Sequence, residues 1–127
     1  MSNQITANFG YNEFACREAG CPAGELLENM IELAQNLQVL RDHIGLPIRV
    51  ISGYRSPAYN ARIGGAKKSQ HMQARAGDLK VTGMEPKEVH AVIEKLIAEG
   101  KMKQGGLGLY PTFVHYDTRG TRARWNG

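Results

Sequence analysis

Hydrophobic positions repeat at helical spacing in two long segments of the chain. In residues 24–45 the apolar side chains lie three or four residues apart, which keeps them on one face of a helix. Gly45 and Pro47 then stop this helix. A second segment, Pro86 to Glu99, has the same spacing and is followed by Gly100. The pattern predicts two amphipathic helices, with apolar faces formed by Leu26, Met30, Leu33, Leu37, Leu40 and Ile44 in the first and by Val89, Val92, Ile93, Leu96 and Ile97 in the second.

Three further segments predict short strands, and the first and the last of them are rich in β-branched or aromatic residues. These segments are Ile48–Ser52, Asp78–Val81 and Phe113–Asp117. After the first of them, Ser56 suits a helix N-cap and Pro57 suits the first helical position. We therefore expect a short helix there, which ends at the glycine pair Gly64-Gly65.

A glycine-rich segment from Gly105 to Pro111 leads to the last predicted strand. It lacks the Gly-x-x-x-x-Gly-Lys pattern of a phosphate-binding loop, so we expect its glycines to allow close backbone approach in a sheet or bulge. The elements together predict an α+β fold. In it, a small antiparallel sheet carries Asp78 and His115 and packs against the helix Leu26–Ile44.

The composition of the chain is typical of a globular protein, and we expect a single domain over residues 1–127. Of the 127 residues, 42% are hydrophobic and 22% charged, which argues against disorder. The net charge of +4 suits an anionic partner such as nucleic acid or the bacterial cell wall, although a solvated basic face explains it equally well. No recognition helix or aromatic RNA-binding motif is present, so we expect no nucleic-acid partner. Two cysteines, Cys16 and Cys21, are too few for a disulfide framework.

Neither a membrane span nor an export signal is visible in the chain. No apolar run approaches the roughly 20 residues that a membrane helix needs. The first residues lack the basic and apolar regions of a signal peptide. We therefore expect a protein made in the cytoplasm, without membrane insertion, which something else must deliver to any target outside the cell.

Candidate chemistry is concentrated in two histidines and one aspartate: His71, Asp78 and His115. Two neutral nitrogens and one carboxylate oxygen suit a catalytic zinc ion, because they leave a fourth position open for water. Spacing alone also allows a second interpretation, in which these are three unrelated polar residues, since His-x6-Asp is not specific for zinc.

Asp117 is predicted to share a strand face with His115, because side chains alternate along a strand. Its carboxylate could fix the tautomer of the His115 imidazole, or it could act as a general base toward water at the metal. A structural ion pair with Arg119 is a third interpretation. We favour the first two.

Several motifs occur together along nearly the whole chain. They are Ser52-Gly53-Tyr54-Arg55-Ser56-Pro57, Gly64-Gly65-Ala66, Ser69-x-His71, Ala76-x-Asp78, Gly106-x-Gly108-x-Tyr110-Pro111 and Phe113-Val114-His115-x-Asp117. This set resembles the zinc D-alanyl-D-alanine carboxypeptidase family with the hedgehog/DD-peptidase fold. The likeness is greatest to the small branch found in phage lysis or tail proteins and in bacterial murein endopeptidases.

The resemblance implies roles for individual residues. It makes His71, Asp78 and His115 the zinc ligands, and it makes Arg55 the residue that holds the substrate's carboxylate or peptide carbonyl. Guanidinium suits either task because it is permanently charged and donates two parallel hydrogen bonds. Two tyrosines are candidates to line the cleft, although packing explains them equally well: Tyr54 and Tyr110.

The implied function is a zinc metallopeptidase that hydrolyses peptidoglycan stem or cross-link peptides ending in or containing D-amino acids. In this mechanism Arg55 would help the metal to stabilise the tetrahedral oxyanion. Carboxypeptidase and endopeptidase activity both stay open. We expect a monomer that acts on the cell wall after release, as an endolysin does, or as part of a phage particle. The alternative is a catalytically silent, zinc-containing module that binds the wall or builds a phage tail.

Two positions depart from the family pattern. Ala74 stands where the family has glycine, a substitution that matters if the backbone there has a positive φ angle. Thr112 stands three residues before the last histidine, where many relatives have the acidic catalytic base. The base must therefore be Asp117, or the metal itself must activate water, or the domain must be inactive.

Overall fold

The computed structural model describes residues 5–14, 24–55, 57–65 and 69–127. Ser56, the expected N-cap, lies outside the described residues, and so do Cys16 and Cys21. The helices are α1 (Tyr11–Phe14), α2 (Glu25–Ile44), α3 (Pro57–Arg62) and α4 (Pro86–Ala98), with a 3-10 turn at Gln70–Gln73. The strands are β1 (Ile48–Ser52), β2 (Ala76–Val81), β3 (Gly106–Leu109), β4 (Val114–Asp117) and β5 (Ala123–Asn126).

Helix α2 confirms the first amphipathic pattern. Its apolar face is buried through Met30, Leu33, Ala34, Leu37 and Leu40. The helix ends at Gly45, which adopts a left-handed conformation with φ of 67° and donates its N–H to the carbonyl of Arg41. Glycine adopts this conformation without the Cβ strain of other residues, so the stop predicted from the sequence has a direct backbone cause.

The five strands form one sheet in the order β1-β2-β4-β3-β5. The α+β class is confirmed, but the expectation of a purely antiparallel sheet is wrong, because β5 pairs with β3 in parallel. After β4 the chain reverses and passes β3 to reach the free edge, so β5 runs in the direction of β3. The further expectation of a hedgehog/DD-peptidase-like fold stays a prediction.

Helices α2 and α4 cover one face of the sheet and form the core with it. The sheet contributes Leu79, Leu107, Val114 and Tyr116 to the buried apolar cluster. Because side chains alternate along a strand, the neighbours of these residues point to the opposite face, which carries the polar site. Within the described part of the chain, no helix is long and apolar enough to cross a membrane.

One row of residues crosses all five strands on the polar face. Ser52 of β1 pairs with Asp78 of β2, and Asp78 pairs in turn with His115 of β4. His115 pairs with Gly108 of β3, and Gly108 pairs with Trp125 of β5. Strand pairing therefore brings residues from distant parts of the sequence into one line about 20 Å long, given strand spacings of about 4.8 Å.

Two glycines of β3 leave room for side chains from neighbouring strands. A Cβ atom at Gly108 would overlap the indole of Trp125, and one at Gly106 would overlap the side chains of Asp117 and Arg119. The glycine-rich segment is thus a strand whose missing side chains permit close approach, as the sequence predicted.

Substitution Gly108→Ala should displace Trp125 from the polar face. We expect a loss of about 1–3 kcal/mol in the free energy of unfolding, because the added methyl group has no space. Trp125 is the single tryptophan of the chain, so its fluorescence emission should shift to longer wavelength as the indole moves into water. The matched control is Gly77→Ala in β2, where the nearest side-chain atom, from Leu79, is 3.4 Å from the new Cβ. Unchanged emission and stability in Gly108→Ala would contradict this packing.

Candidate metal centre

The three predicted metal ligands converge on the polar face of the sheet. His71 Nε2 lies 3.3 Å from Asp78 Oδ1, and His115 Nδ1 lies 3.2 Å from the same oxygen. The ligand atoms all lie within 4.8 Å of one another, and all three residues are buried. Tetrahedral ligands with metal bonds of 2.0–2.2 Å are about 3.4 Å apart, so the chemistry and spacing of this donor set fit a zinc-sized cation.

His71 is presented by the 3-10 turn Gln70–Gln73. The hydroxyl oxygen of Ser69 caps this turn by accepting a hydrogen bond from the His71 backbone N–H at 3.2 Å. The ring Nδ1–H donates to the carbonyl of Gly53 at 2.8 Å. A carbonyl can only accept, so the neutral ring carries its proton on Nδ1 and keeps the lone pair of Nε2 for a metal ion.

Ala74 ends the turn that presents His71, and its φ angle is 57°. Its backbone N–H donates to carbonyls of the turn, which closes the loop beneath the histidine. A left-handed conformation costs an alanine roughly 1–2 kcal/mol relative to a right-handed one. The departure from the family's glycine therefore falls at a position where glycine would be relaxed and alanine is strained.

His115 is held from behind by a fully buried carboxylate, Asp117, which is 0% exposed. Its Nε2–H donates to Asp117 Oδ2 at 2.7 Å, which leaves Nδ1 facing Asp78. Asp117 also accepts from the Gly106 N–H at 2.8 Å and from the Arg119 guanidinium at 2.9 and 2.7 Å. Burial alone would raise the pKa of Asp117, but these hydrogen bonds hold it well below its usual range.

The contacts of Asp117 favour one of the roles that the sequence left open. Both oxygens are occupied, and the residue does not line the cleft in front of the ligands. This arrangement suits a residue that orients the His115 ring, with the ion pair to Arg119 as part of the same network. The general-base role of Asp117 stays a prediction.

Arg55 touches the candidate ligand Asp78. Its Nη2 lies 3.4 Å from Asp78 Oδ2, and its Nε donates to the Ser52 hydroxyl at 3.2 Å. The two oxygens of Asp78 therefore have different partners: Oδ2 contacts Arg55, whereas Oδ1 faces the two histidines. Burial would raise the pKa of Asp78, but its close contacts with the His115 and His71 rings hold that pKa well below its usual range, so the carboxylate stays ionised.

A cleft of about 510 Å³ opens in front of the three ligands. Tyr110, Phe113 and Trp125 form an aromatic wall on one side, and Arg55 lies among the remaining lining residues. Tyr110 thus lies where the sequence predicted a cleft residue. Tyr54 instead packs partly buried against the hydrophobic core and does not line this cleft, which favours the packing alternative for it.

Trp125 is a site residue that sequence reasoning missed. Its ring lies 4.9 Å from the His115 ring, and its Nε1–H donates to the Tyr110 hydroxyl at 2.9 Å. The closing segment Ala123-Arg124-Trp125 also resembles the small branch of that family, but this likeness does not indicate contact with a candidate ligand. Thr112 is exposed in the turn before β4 and lines a different depression, together with Lys80.

Comparison with known proteins places the chain in a family. The sequence profile of peptidase M15 matches residues 7–117, a span that contains all three candidate ligands. The chain belongs to the peptidase M15 family. The resemblance seen in the sequence motifs is thereby confirmed at the level of the family.

A curated relative is the probable peptidoglycan L,D-endopeptidase MepK of Haemophilus influenzae. The two sequences are 34% identical over 106 residues, which cover 78% of this chain and 53% of the relative. The chain therefore spans about half the length of the curated relative that it matches. Strand β5, with Trp125, lies beyond the span matched by the family profile.

Substitution Asp117→Asn should weaken metal binding without removing a ligand. We expect the affinity for zinc to fall about 10- to 100-fold, because the partner that orients the His115 ring is altered. Competition with a chromophoric chelator measures the affinity directly. Asp42→Asn is the matched control, since Asp42 is an exposed carboxylate on α2 that bonds only to Gln38 among the contacts described. Equal zinc affinity in wild type and Asp117→Asn would contradict the role of Asp117 in orienting His115.

Proposed function

We propose that this protein is a zinc-dependent endopeptidase that cleaves amide bonds in the peptides of peptidoglycan. The observation that carries the proposal is the convergence of His71, Asp78 and His115 at the base of one cleft. Membership of the peptidase M15 family and the likeness to a probable peptidoglycan L,D-endopeptidase support the substrate class.

The chain's own residues bind and orient the components of this reaction. His71 and His115 would supply neutral nitrogens and Asp78 one carboxylate oxygen, so a bound dication would keep a net positive charge. Zinc, when bound, supplies a Lewis acid that polarises the scissile carbonyl and lowers the pKa of water to about 7. Gly53 and Asp117 fix the two imidazole rings from behind. Such preorganisation avoids reorientation of the ligands during the reaction.

The cleft offers no separate carboxylate as a general base among its described lining residues. Asp78 is the one acidic residue there, and it is a candidate ligand. We therefore propose that Asp117 acts as a positioning residue for His115. A strong base is not required at neutral pH in a site of this kind, because the metal makes water sufficiently acidic.

Endopeptidase activity is supported by the ion pairs that the arginines of the cleft already make within the protein. A carboxypeptidase needs a cation for the terminal carboxylate of its substrate. Among the described lining residues the arginines are Arg55 and Arg119, and their guanidiniums already contact Asp78 and Asp117. We propose that Arg55 steadies Asp78 and uses a remaining N–H to donate to a peptide carbonyl, which needs no full counter-charge.

The cleft also has room for a chain on both sides of the metal centre. A depression lined by Pro57 and Met72 shares Gly65 with it on one side. Another depression, lined by Lys87, shares Tyr110 with it on the other. A cross-link peptide extends in both directions from the bond to be cut, so this layout suits an internal bond better than a terminal one.

A catalytically silent wall-binding module is the second candidate function. Thr112 favours it, because that position carries no acid and the cleft's described lining residues supply no replacement. The two candidates share the metal centre and differ in turnover. Monomeric state and place of action stay predictions from the sequence.

The deciding experiment uses purified cross-linked muropeptide dimers and the zinc-loaded protein. We expect two muropeptide monomers as products, with no release of free D-alanine, identified by mass spectrometry. His115→Ala should reduce the rate at least about 100-fold through loss of a ligand, whereas Asp42→Asn should not change it.

Three outcomes separate the alternatives. Release of terminal D-alanine alone would identify a carboxypeptidase and overturn the endopeptidase assignment. Stoichiometric zinc without hydrolysis of dimers, stem peptides or intact peptidoglycan would identify the silent module. Hydrolysis at full rate by His115→Ala would show that the three-residue centre is not the catalytic site.

A further inference from the structure

We propose that Tyr110 donates its hydroxyl hydrogen to the scissile carbonyl oxygen as that oxygen gains negative charge, and that Trp125 holds Tyr110 in position to do so. The inference rests on the proposed function, since it assigns a role within amide hydrolysis at the same cleft. It concerns a hydrogen bond only, so the hydrogen stays on Tyr110 and no covalent bond to the protein forms.

The direction of one hydrogen bond is fixed by chemistry. Trp125 Nε1 lies 2.9 Å from the Tyr110 hydroxyl oxygen. An indole N–H can only donate, so the phenol oxygen must accept. The hydroxyl hydrogen of Tyr110 is then directed elsewhere, and Tyr110 donates it in no hydrogen bond within the parts of the chain that the structure describes. Tyr110 lines the cleft, so a substrate oxygen is the partner that its hydrogen can reach.

Strand register brings the Tyr110 hydroxyl to the row of metal ligands. Trp125 pairs with Gly108, and Gly108 pairs with His115. The indole nitrogen lies above Gly108, where a Cβ atom would overlap it. The Tyr110 hydroxyl, bonded to that nitrogen, therefore lies over the same row, although the Tyr110 backbone is two residues further along the chain. A donor in this place shares the cleft with the three candidate ligands, so it can reach a substrate held there.

The Trp125 ring is held on several sides. The Arg119 guanidinium lies 5.5 Å from its centroid, and Asp117 fixes that guanidinium by two hydrogen bonds. The His115 ring lies 4.9 Å away on the polar face. A cation over an indole is attracted to its face, so the ring has a defined orientation.

Donation from Trp125 also improves Tyr110 as a donor. A hydroxyl that accepts a hydrogen bond becomes polarised and donates a stronger one, an effect of about 10–30% per bond. Phe113 stacks on the Tyr110 ring with centroids 4.4 Å apart, which limits ring motion. A donor fixed before the substrate arrives is most useful where charge develops, which is the transition state.

The test compares kinetics of Tyr110→Phe, Trp125→Phe and the double variant on the cross-linked muropeptide dimer. We expect Tyr110→Phe to lower kcat about 10²- to 10³-fold with KM nearly unchanged, because the lost bond forms in the transition state. Trp125→Phe should lower kcat at least about tenfold, since Tyr110 keeps its hydroxyl but loses its orientation. The double variant should be no slower than Tyr110→Phe, because Trp125 acts through Tyr110.

A stability control separates this role from packing. Tyr116→Phe removes a buried hydroxyl that donates to the Lys103 carbonyl on the opposite face of the sheet. It should lower the melting temperature and leave kcat unchanged. Independent, multiplicative losses in the Tyr110→Phe and Trp125→Phe variants would overturn the coupling. A rise in KM without loss of kcat would overturn the transition-state role.

A binding measurement distinguishes failure of this inference from failure of the proposed function. A phosphinate analogue of the dimer stands in for the tetrahedral intermediate, with its oxygen replacing the developing oxyanion. If the wild type binds zinc but does not turn over, calorimetry still compares phosphinate affinity in wild type and Tyr110→Phe. An affinity at least tenfold weaker in the variant supports the Tyr110 donor, whereas equal affinities, or no binding by wild type, overturn it.

Discussion

The buried carboxylate of Asp117 is the constraint on which the candidate site depends. An ionised group without contact to water is costly unless hydrogen bonds compensate it, so every neighbour of Asp117 must be in place. Those neighbours come from different segments: the Gly106 amide from β3, the Arg119 guanidinium from the loop after β4, and the His115 ring. The hydrogen bonds to this one carboxylate therefore fix the candidate ligand His115, the edge of β3 and the guanidinium of Arg119.

Periodicity and motif spacing predicted the elements that depend on local sequence. The stripe of α2 and the glycine stop at Gly45 follow from positions a few residues apart, and the structure confirms both. The three candidate ligands could also be chosen from the sequence, because their residue types and the surrounding motifs point to one chemistry. The sequence alone could not show that these residues converge. Their convergence depends on pairing between Asp78 and His115, which are 37 residues apart in the chain.

Strand β5 could not be predicted, for a physical reason. The segment Ala-Arg-Trp-Asn has only four residues, so its alternation of apolar and polar side chains does not distinguish a strand from a loop, and its place in the sheet comes from pairing at the edge of β3. The glycines of β3 permit that pairing because they leave space for Trp125. This role is visible only in three dimensions. The sequence predicts strain at Ala74 only if the backbone there has a positive φ angle, and the sequence alone does not determine that angle.

The two glycines of β3 leave space for side chains that support both the candidate metal centre and the aromatic wall of the cleft. Space left at Gly106 is filled by Asp117 and Arg119, which control His115, and space left at Gly108 is filled by Trp125, which bonds to Tyr110. Both sets of side chains rest on one short strand, and Arg119 contacts both. A displacement of β3 would therefore move the ligand and the wall together. This shared support would let a small domain hold the proposed donor Tyr110 and the candidate ligand His115 in a fixed relation.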